Sequence, residues 1–192
     1  MADGLTMRSP EGTTYRFDPG ALCLEFLTTG GPGAPARHHA LLVPDDLAVF
    51  AAASRLRLDP AEVRVTPAEL ARAVRLRDEL WRLARDRVAG RPLTGPDVLN
   101  AAATGPTPVP RAEDGRRSWA APVTGDQVIS QIARDAIELF TGPLRDRVRE
   151  CAAHDCHLVF VDTSRPGARR WCSMERCGNR DKVRNHRARG AG

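Results

Sequence analysis

Apolar residues recur along this chain with two periods, and the helical one is the clearer. Leu70, Val74, Leu76, Leu80, Leu83 and Val88 fall mainly on one side of a helix of 3.6 residues per turn. The start of that helix is also written in the sequence. Thr66 suits the N-cap, Pro67 the first helical position, and Glu69 completes a capping box, with Gly90 as the stop. A second stripe of Ile129, Ile132, Ala133, Ala136, Ile137 and Phe140 predicts a helix over about 126–140, ended by Gly142-Pro143. Shorter helices are expected over 45–54 and 95–103, and a helical turn over 144–150. The segments 15–17 and 21–27 read as short strands around Asp18-Pro19-Gly20, and 106–110 with 116–121 as a hairpin around Glu113-Asp114-Gly115. Residues 1–14 are polar and are expected to fray. The fold class is α+β: a body over 1–145 followed by a smaller module over 146–192.

The module carries the chemistry. Cys151 and Cys156 form one pair and Cys172 and Cys177 a second, each with four intervening residues and with fifteen between the pairs. Two cysteine pairs at such spacing suit a tetrahedral thiolate site for one structural zinc ion. Four thiolates also suit an iron–sulfur cluster, or can pack reduced as small apolar groups. The strand, turn and helix signals around them favour zinc. The run 158–161 is apolar and β-branched, 162–167 turns the chain, and 169–171 is expected to return as a second strand. Ser173 can then cap a helix containing Cys177. His154 and His157 lie inside and beside the first pair. Four cysteines already fill a tetrahedron, which leaves no open position for catalysis.

Charge separates the two parts. Residues 165–192 hold nine Lys or Arg against Glu175 and Asp181, a net charge of +7, whereas the whole chain is +5. The body is therefore slightly acidic and the tail strongly basic, an asymmetry that points to nucleic acid. In a helix continuing past Cys177, Arg176, Arg180, Arg184 and Arg187 share one face, with Lys182 and Arg189 on adjoining faces. Arg169 and Arg170 add cations from the preceding hairpin. Asn179 is the leading candidate for a base edge, because a carboxamide can address adenine bidentately. With one tyrosine and few other aromatics, stacking platforms for single strands are not expected. The N-terminal residues lack the apolar core of a signal peptide, and the longest apolar stretches, such as 48–53, are far too short to span a bilayer. A cytoplasmic protein with reduced thiols is expected.

The segment Arg169-Arg-Trp-Cys-Ser-Met174, followed by Cys177-Gly-Asn-Arg180, Lys182 and 186–189, resembles the CGNR zinc finger, which takes its name from that tetrad. Such fingers follow an ABATE domain in stress-induced bacterial transcription regulators. Here Leu24-Glu-Phe-Leu-Thr-Thr29 stands where that domain carries an LDFVNT-like strand. The resemblance implies a small-ligand sensor in the body, with Glu25 and Thr28 as candidate ligand contacts. Glu25 keeps the family's acidic charge, and Thr28 replaces an asparagine.

A zinc-stabilised, DNA-binding transcription regulator is therefore expected, with the body sensing a small-molecule effector, forming a homodimer, or both. The alternative is an RNA-binding or protein-interaction module. No nucleophile–base pairing and no phosphate-cradling loop stand out, and His38-His39 reads as a solvated pair, so no enzymatic activity is expected. Cys23 is read as a core residue.

Overall fold

The computed structural model describes residues 4–9 and 11–190, with side chains to Arg184. Fourteen elements organise them. Strands β1 (Leu5–Arg8) and β2 (Thr14–Phe17) form an antiparallel hairpin. Helices α1 (Leu22–Phe26) and α2 (Pro44–Ala53) follow, then strand β3 (Val63–Arg64) and the long helix α3 (Pro67–Val88). A short helix α4 (Asp97–Ala103) precedes the hairpin of β4 (Pro110–Glu113) and β5 (Arg116–Trp119). Strand β6 (Val123–Thr124) leads into helix α5 (Gly125–Thr141). Strands β7 (Val148–Glu150) and β8 (Val159–Val161) pair antiparallel, and helix α6 (Asn179–Gly190) closes the fold. This is the α+β architecture that the sequence predicts.

The two long helices begin side by side. Val63 and Arg64 pair in parallel with Val123 and Thr124, so α3 and α5 leave the same small ladder. Thr66 and Thr124 each cap their helix in a full capping box, with Glu69 and Gln127 as the reciprocal partners. Glu69 serves both helices. Its carboxylate accepts from Thr66 N at 2.7 Å and from Asp126 N at 3.0 Å. Gly125 makes this possible, because a Cβ there would lie 2.9 Å from that of Glu69. Arg72 and Asp126 add a bidentate ion pair at 2.8–2.9 Å. Below these starts, the stripes of α3 and α5 bury Leu76, Leu80, Leu83, Ile132, Ala136 and Phe140 against α1 and α2.

Four local expectations are corrected. The segment 21–27 is helical, not a strand. All five residues of α1 are buried, Glu25 included, and a segment enclosed on every side carries no alternation to distinguish strand from helix. Residues 5–8 form a strand instead of fraying, with Leu5 and Met7 paired with Phe17 and Tyr15. The expected helical turn over 144–150 is one turn at Arg145–Arg147 followed by β7. Finally, β8 pairs with β7 rather than with 169–171, so the nearer segment in sequence is displaced by one upstream of the first cysteine.

The body and the cysteine module exchange parts of their cores. Val148, Val159 and Val161 pack into the helical core. Conversely, Tyr15 and Phe17 of the N-terminal hairpin pack with Phe160 and the four cysteines. Among the described residues, no helix is long and apolar enough to cross a membrane.

Candidate metal centre and basic helix

The loop between β7 and β8 brings Cys151 and Cys156 together, and the segment after the 162–168 turn brings Cys172 and Cys177 to meet them. Asp162 organises that turn. Fully buried, it accepts from Ser164 N at 2.9 Å, Ser164 Oγ at 2.6 Å and Arg169 N at 3.1 Å. Burial opposes its charge, but these bonds prevail and hold its carboxyl below the usual range. Arg147 supports the same turn from beneath, donating to the carbonyls of Asp162 and Ser164 at 2.9 Å each. Gly167, at φ +90°, leaves room for it: a Cβ would sit 2.1 Å from the Arg147 guanidinium.

All four sulfurs are buried and lie within 4.8 Å of one another. Cys156 and Cys172 are 3.7 Å apart, and Cys172 and Cys177 3.5 Å. A tetrahedron with zinc–sulfur distances of about 2.3 Å has edges of roughly 3.8 Å, so the spacing fits one zinc ion. Four thiolates this close cannot all carry charge without a cation. Hydrogen bonds from Cys156, Cys172 and Cys177 hold the Cys151 thiol well below its ordinary range, and Cys151 in turn pushes Cys172 up. The backbone N–H of Cys172 donates to Cys151 Sγ at 3.4 Å. His154 is exposed and His157 bonds Glu150 at 3.1 Å, so neither joins the cluster. The centre holds one structural zinc.

Two of the candidate nucleic-acid cations brace this centre. Arg169 is half-buried, donating to the carbonyls of Trp171 at 3.0 Å and Cys172 at 2.6 Å and lying 4.1 Å over the Phe160 ring. Arg176 donates to Tyr15 Oη at 3.2 Å and lies 5.2 Å over that ring. Burial pushes Tyr15 up to about 12, so it stays a neutral phenol. A zinc ion on four thiolates leaves two net negative charges, which these guanidiniums flank.

A wide π-helical turn, Met174–Gly178, carries the chain from Cys177 into α6. Arg180 is ion-paired with Asp155 of the first knuckle. Arg184 bonds Asp181 at 2.6 Å and His154 Nδ1 at 3.3 Å. The sequence register thus places Arg176 and Arg180 along a side that meets the protein. Lys182 and Asn179 are exposed on the helix, and Arg170 is exposed at 5.0 Å over Trp171. The side chains of Arg187 and Arg189 lie outside the described residues.

In the body, Glu25 is fully buried on α1. It accepts from Arg55 N at 2.9 Å and Arg55 Nε at 3.1 Å, and Arg55 also reaches Asp18 at 3.3 Å. Thr28 is half-buried, donating to the Glu25 carbonyl at 2.7 Å. It borders a cavity of about 240 Å³ between body and module; Glu25 does not.

Residues 147–190 match the family model of the CGNR zinc finger. Residues 20–143, well over half of the chain, match the ABATE model, described as "Putative stress-induced transcription regulator". The chain belongs to the ABATE family. No curated protein matches it.

Within this ABATE body, the Glu25–Arg55 pair sets a pH-dependent stability. Burial raises the carboxyl of Glu25, and the Arg55 bonds offset part of that. A carboxyl raised above its unfolded value costs nothing below the ordinary carboxylate pKa, and its penalty grows as pH rises through the folded value. Arg55→Met removes the offset. At about pH 7 it is expected to destabilise by about 2–3 kcal/mol, discounted because Arg55 is partly exposed. Near pH 4 most of that loss should vanish. Denaturant melts at the two pH values check this; a cost independent of pH would refute it.

Sequence reasoning missed Arg77 and Trp81, which face inward from α3 of the ABATE body. Trp81 Nε1 donates to the Gly30 carbonyl at 2.7 Å, and Arg77 to that of Thr29 at 3.2 Å. Both pin the loop after α1 to the helix. The apolar stripe locates their helix, but nothing local in the sequence names their partners some 50 positions away. Cys23 is a fully buried core residue, as read from the sequence.

Proposed function

We propose that this ABATE protein is a DNA-binding transcription regulator, with its body sensing a small ligand, pairing two copies, or both. The observation that carries the reading is the direct continuation of a closed four-thiolate centre into a cationic helix. Cys177 both holds the metal and lies within the Met174–Gly178 turn that leads into α6, so the centre fixes where that helix points. Lys182 and Arg184 are exposed on that helix, Arg187 and Arg189 follow on it, and Arg170 is exposed on the segment before Cys172. In this reading they neutralise phosphates, while Asn179 reaches base edges. Arg169, Arg176 and Arg180 act from behind, holding the helix on its base. The family description, a transcription regulator, supports a DNA partner. A single small finger offers limited specific surface, which favours pairing through the body. We assign the body no catalytic role.

Five phosphate contacts would give a log–log salt slope of about −4 to −5 on duplex DNA. Fluorescence anisotropy across a salt series measures it. A slope near zero, or tighter binding of structured RNA at the same ionic strength, would overturn the DNA reading.

A further inference from the structure

We propose that the cavity between body and cysteine module is an effector site, and that it takes a small monocarboxylate with an aromatic or branched apolar body. The regulatory consequence rests on the function proposed above; the binding itself does not.

The position of the cavity is the first argument. One wall is the body: Thr28 and Gly30 after α1, Arg37 and His38 in the following loop, and Trp81 of α3. The facing wall is the first metal knuckle, Asp155 to Leu158, together with Arg176. Met7, Arg8 and Tyr15 of the N-terminal hairpin complete it. An occupant would therefore touch the neighbours of two zinc ligands and the turn that aims α6.

Charge gives the ligand class. Among the described residues, Arg8 bonds the Gly12 carbonyl at 3.3 Å. Arg37 bonds the Asp155 carbonyl at 2.9 Å and His38 at 3.0 Å. Neither lies at ion-pair distance from a carboxylate among the described residues. Arg176 donates to Tyr15 Oη, yet its Nε is buried without a hydrogen-bond partner among the described residues. Among the described residues, Asp155 is the one carboxylate in the lining, and Arg180 already holds it. His157 is taken by Glu150, and burial disfavours a charged His38. Cationic donors with open capacity thus converge on a space with no free acid of its own. A carboxylate would supply what they lack.

Shape and polarity give the rest. The Trp81 N–H is committed to Gly30, so the indole offers carbon surface, beside Met7, Leu27 and Leu158. The volume of about 240 Å³ lies just below the roughly 300–1,000 Å³ of drug-sized ligand pockets. That suits one ring or a short branched chain with its carboxylate.

The test uses the zinc-loaded full chain, without DNA. Benzoate is titrated calorimetrically, with benzamide as the neutral isostere and inorganic phosphate as the apolar-free anion. Benzoate should bind one to one with a Kd below about 1 mM, and benzamide at least about tenfold more weakly. Arg37→Met, on an exposed loop, should retain zinc and lose about tenfold or more in benzoate affinity, whereas Arg170→Met should lose none. Three outcomes would overturn the site: no saturation by about 10 mM benzoate, equal binding of benzamide, or benzoate binding unchanged by Arg37→Met. Phosphate binding tighter than benzoate would overturn the carboxylate class. A separate DNA titration tests regulation: saturating benzoate should shift DNA affinity at least about threefold, a modest coupling. Unchanged affinity overturns regulation alone, and absent DNA binding overturns the function proposed above while leaving the calorimetric result standing.

Discussion

Serine in place of Cys172 will empty the metal site and unfold the module around it. Cys172 touches the other three ligands, through Cys156 Sγ at 3.7 Å, Cys177 Sγ at 3.5 Å and its own N–H on Cys151 Sγ. A module of this size buries too little surface to fold unaided, so the metal supplies the difference. Structural zinc contributes about 10–16 kcal/mol in small fingers, against about 5–15 kcal/mol for the net stability of a whole domain. The expected zinc content falls from one per chain to none. The damage should reach the other end of the sequence as well, because Tyr15 and Phe17 pack on the cysteines. Hydrogen exchange in 5–17 should therefore accelerate together with that in 151–180, while the α3–α5 core stays protected. A variant that keeps zinc, or whose first hairpin stays protected without it, would refute this account.

Ending the chain after Asp181 should remove DNA binding and spare the zinc. The truncation deletes Lys182, Arg184, Arg187 and Arg189. It leaves the four cysteines, the turn to Gly178 and the Arg180–Asp155 ion pair. If each lost cation had neutralised one phosphate, the salt slope would shrink by about 3–4 and affinity near physiological salt by about 10²–10³-fold. Anisotropy with metal analysis on the same sample separates a lost contact from a lost fold. Unchanged binding would move the nucleic-acid surface off α6.

The parts of the fold that the sequence disclosed are those with local grammar. Thr66-Pro67 with Glu69 marks the start of α3, and the apolar stripes of α3 and α5 extend far enough to fix the period. Leu22–Phe26 lacks both signals: its cap is Ala21, with no side-chain bond, and each residue is apolar or buried. The pairing of β8 depended on a choice between two flanking segments at similar spacing, which no propensity decides. At the site, the cysteines were legible because metal coordination constrains residue type and spacing together. Arg176 and Arg180 were legible as cations but not as braces, since Tyr15 and Asp155 occupy other elements. The junction cavity was not legible, because its walls come from five separated stretches of chain.

Glu69, together with the Arg72–Asp126 ion pair, joins the starts of α3 and α5, and that makes the pair a lever. Glu69 holds the two helices together at one end. Trp81 lies twelve residues along α3, about 18 Å from that hinge at 1.5 Å per residue. Turning the helix by about 5° there would carry the indole about 1.6 Å, with little movement at the hinge itself. A Glu69→Gln substitution would loosen the fulcrum and leave the cavity wall intact, so that motion generated at the wall would dissipate at the hinge.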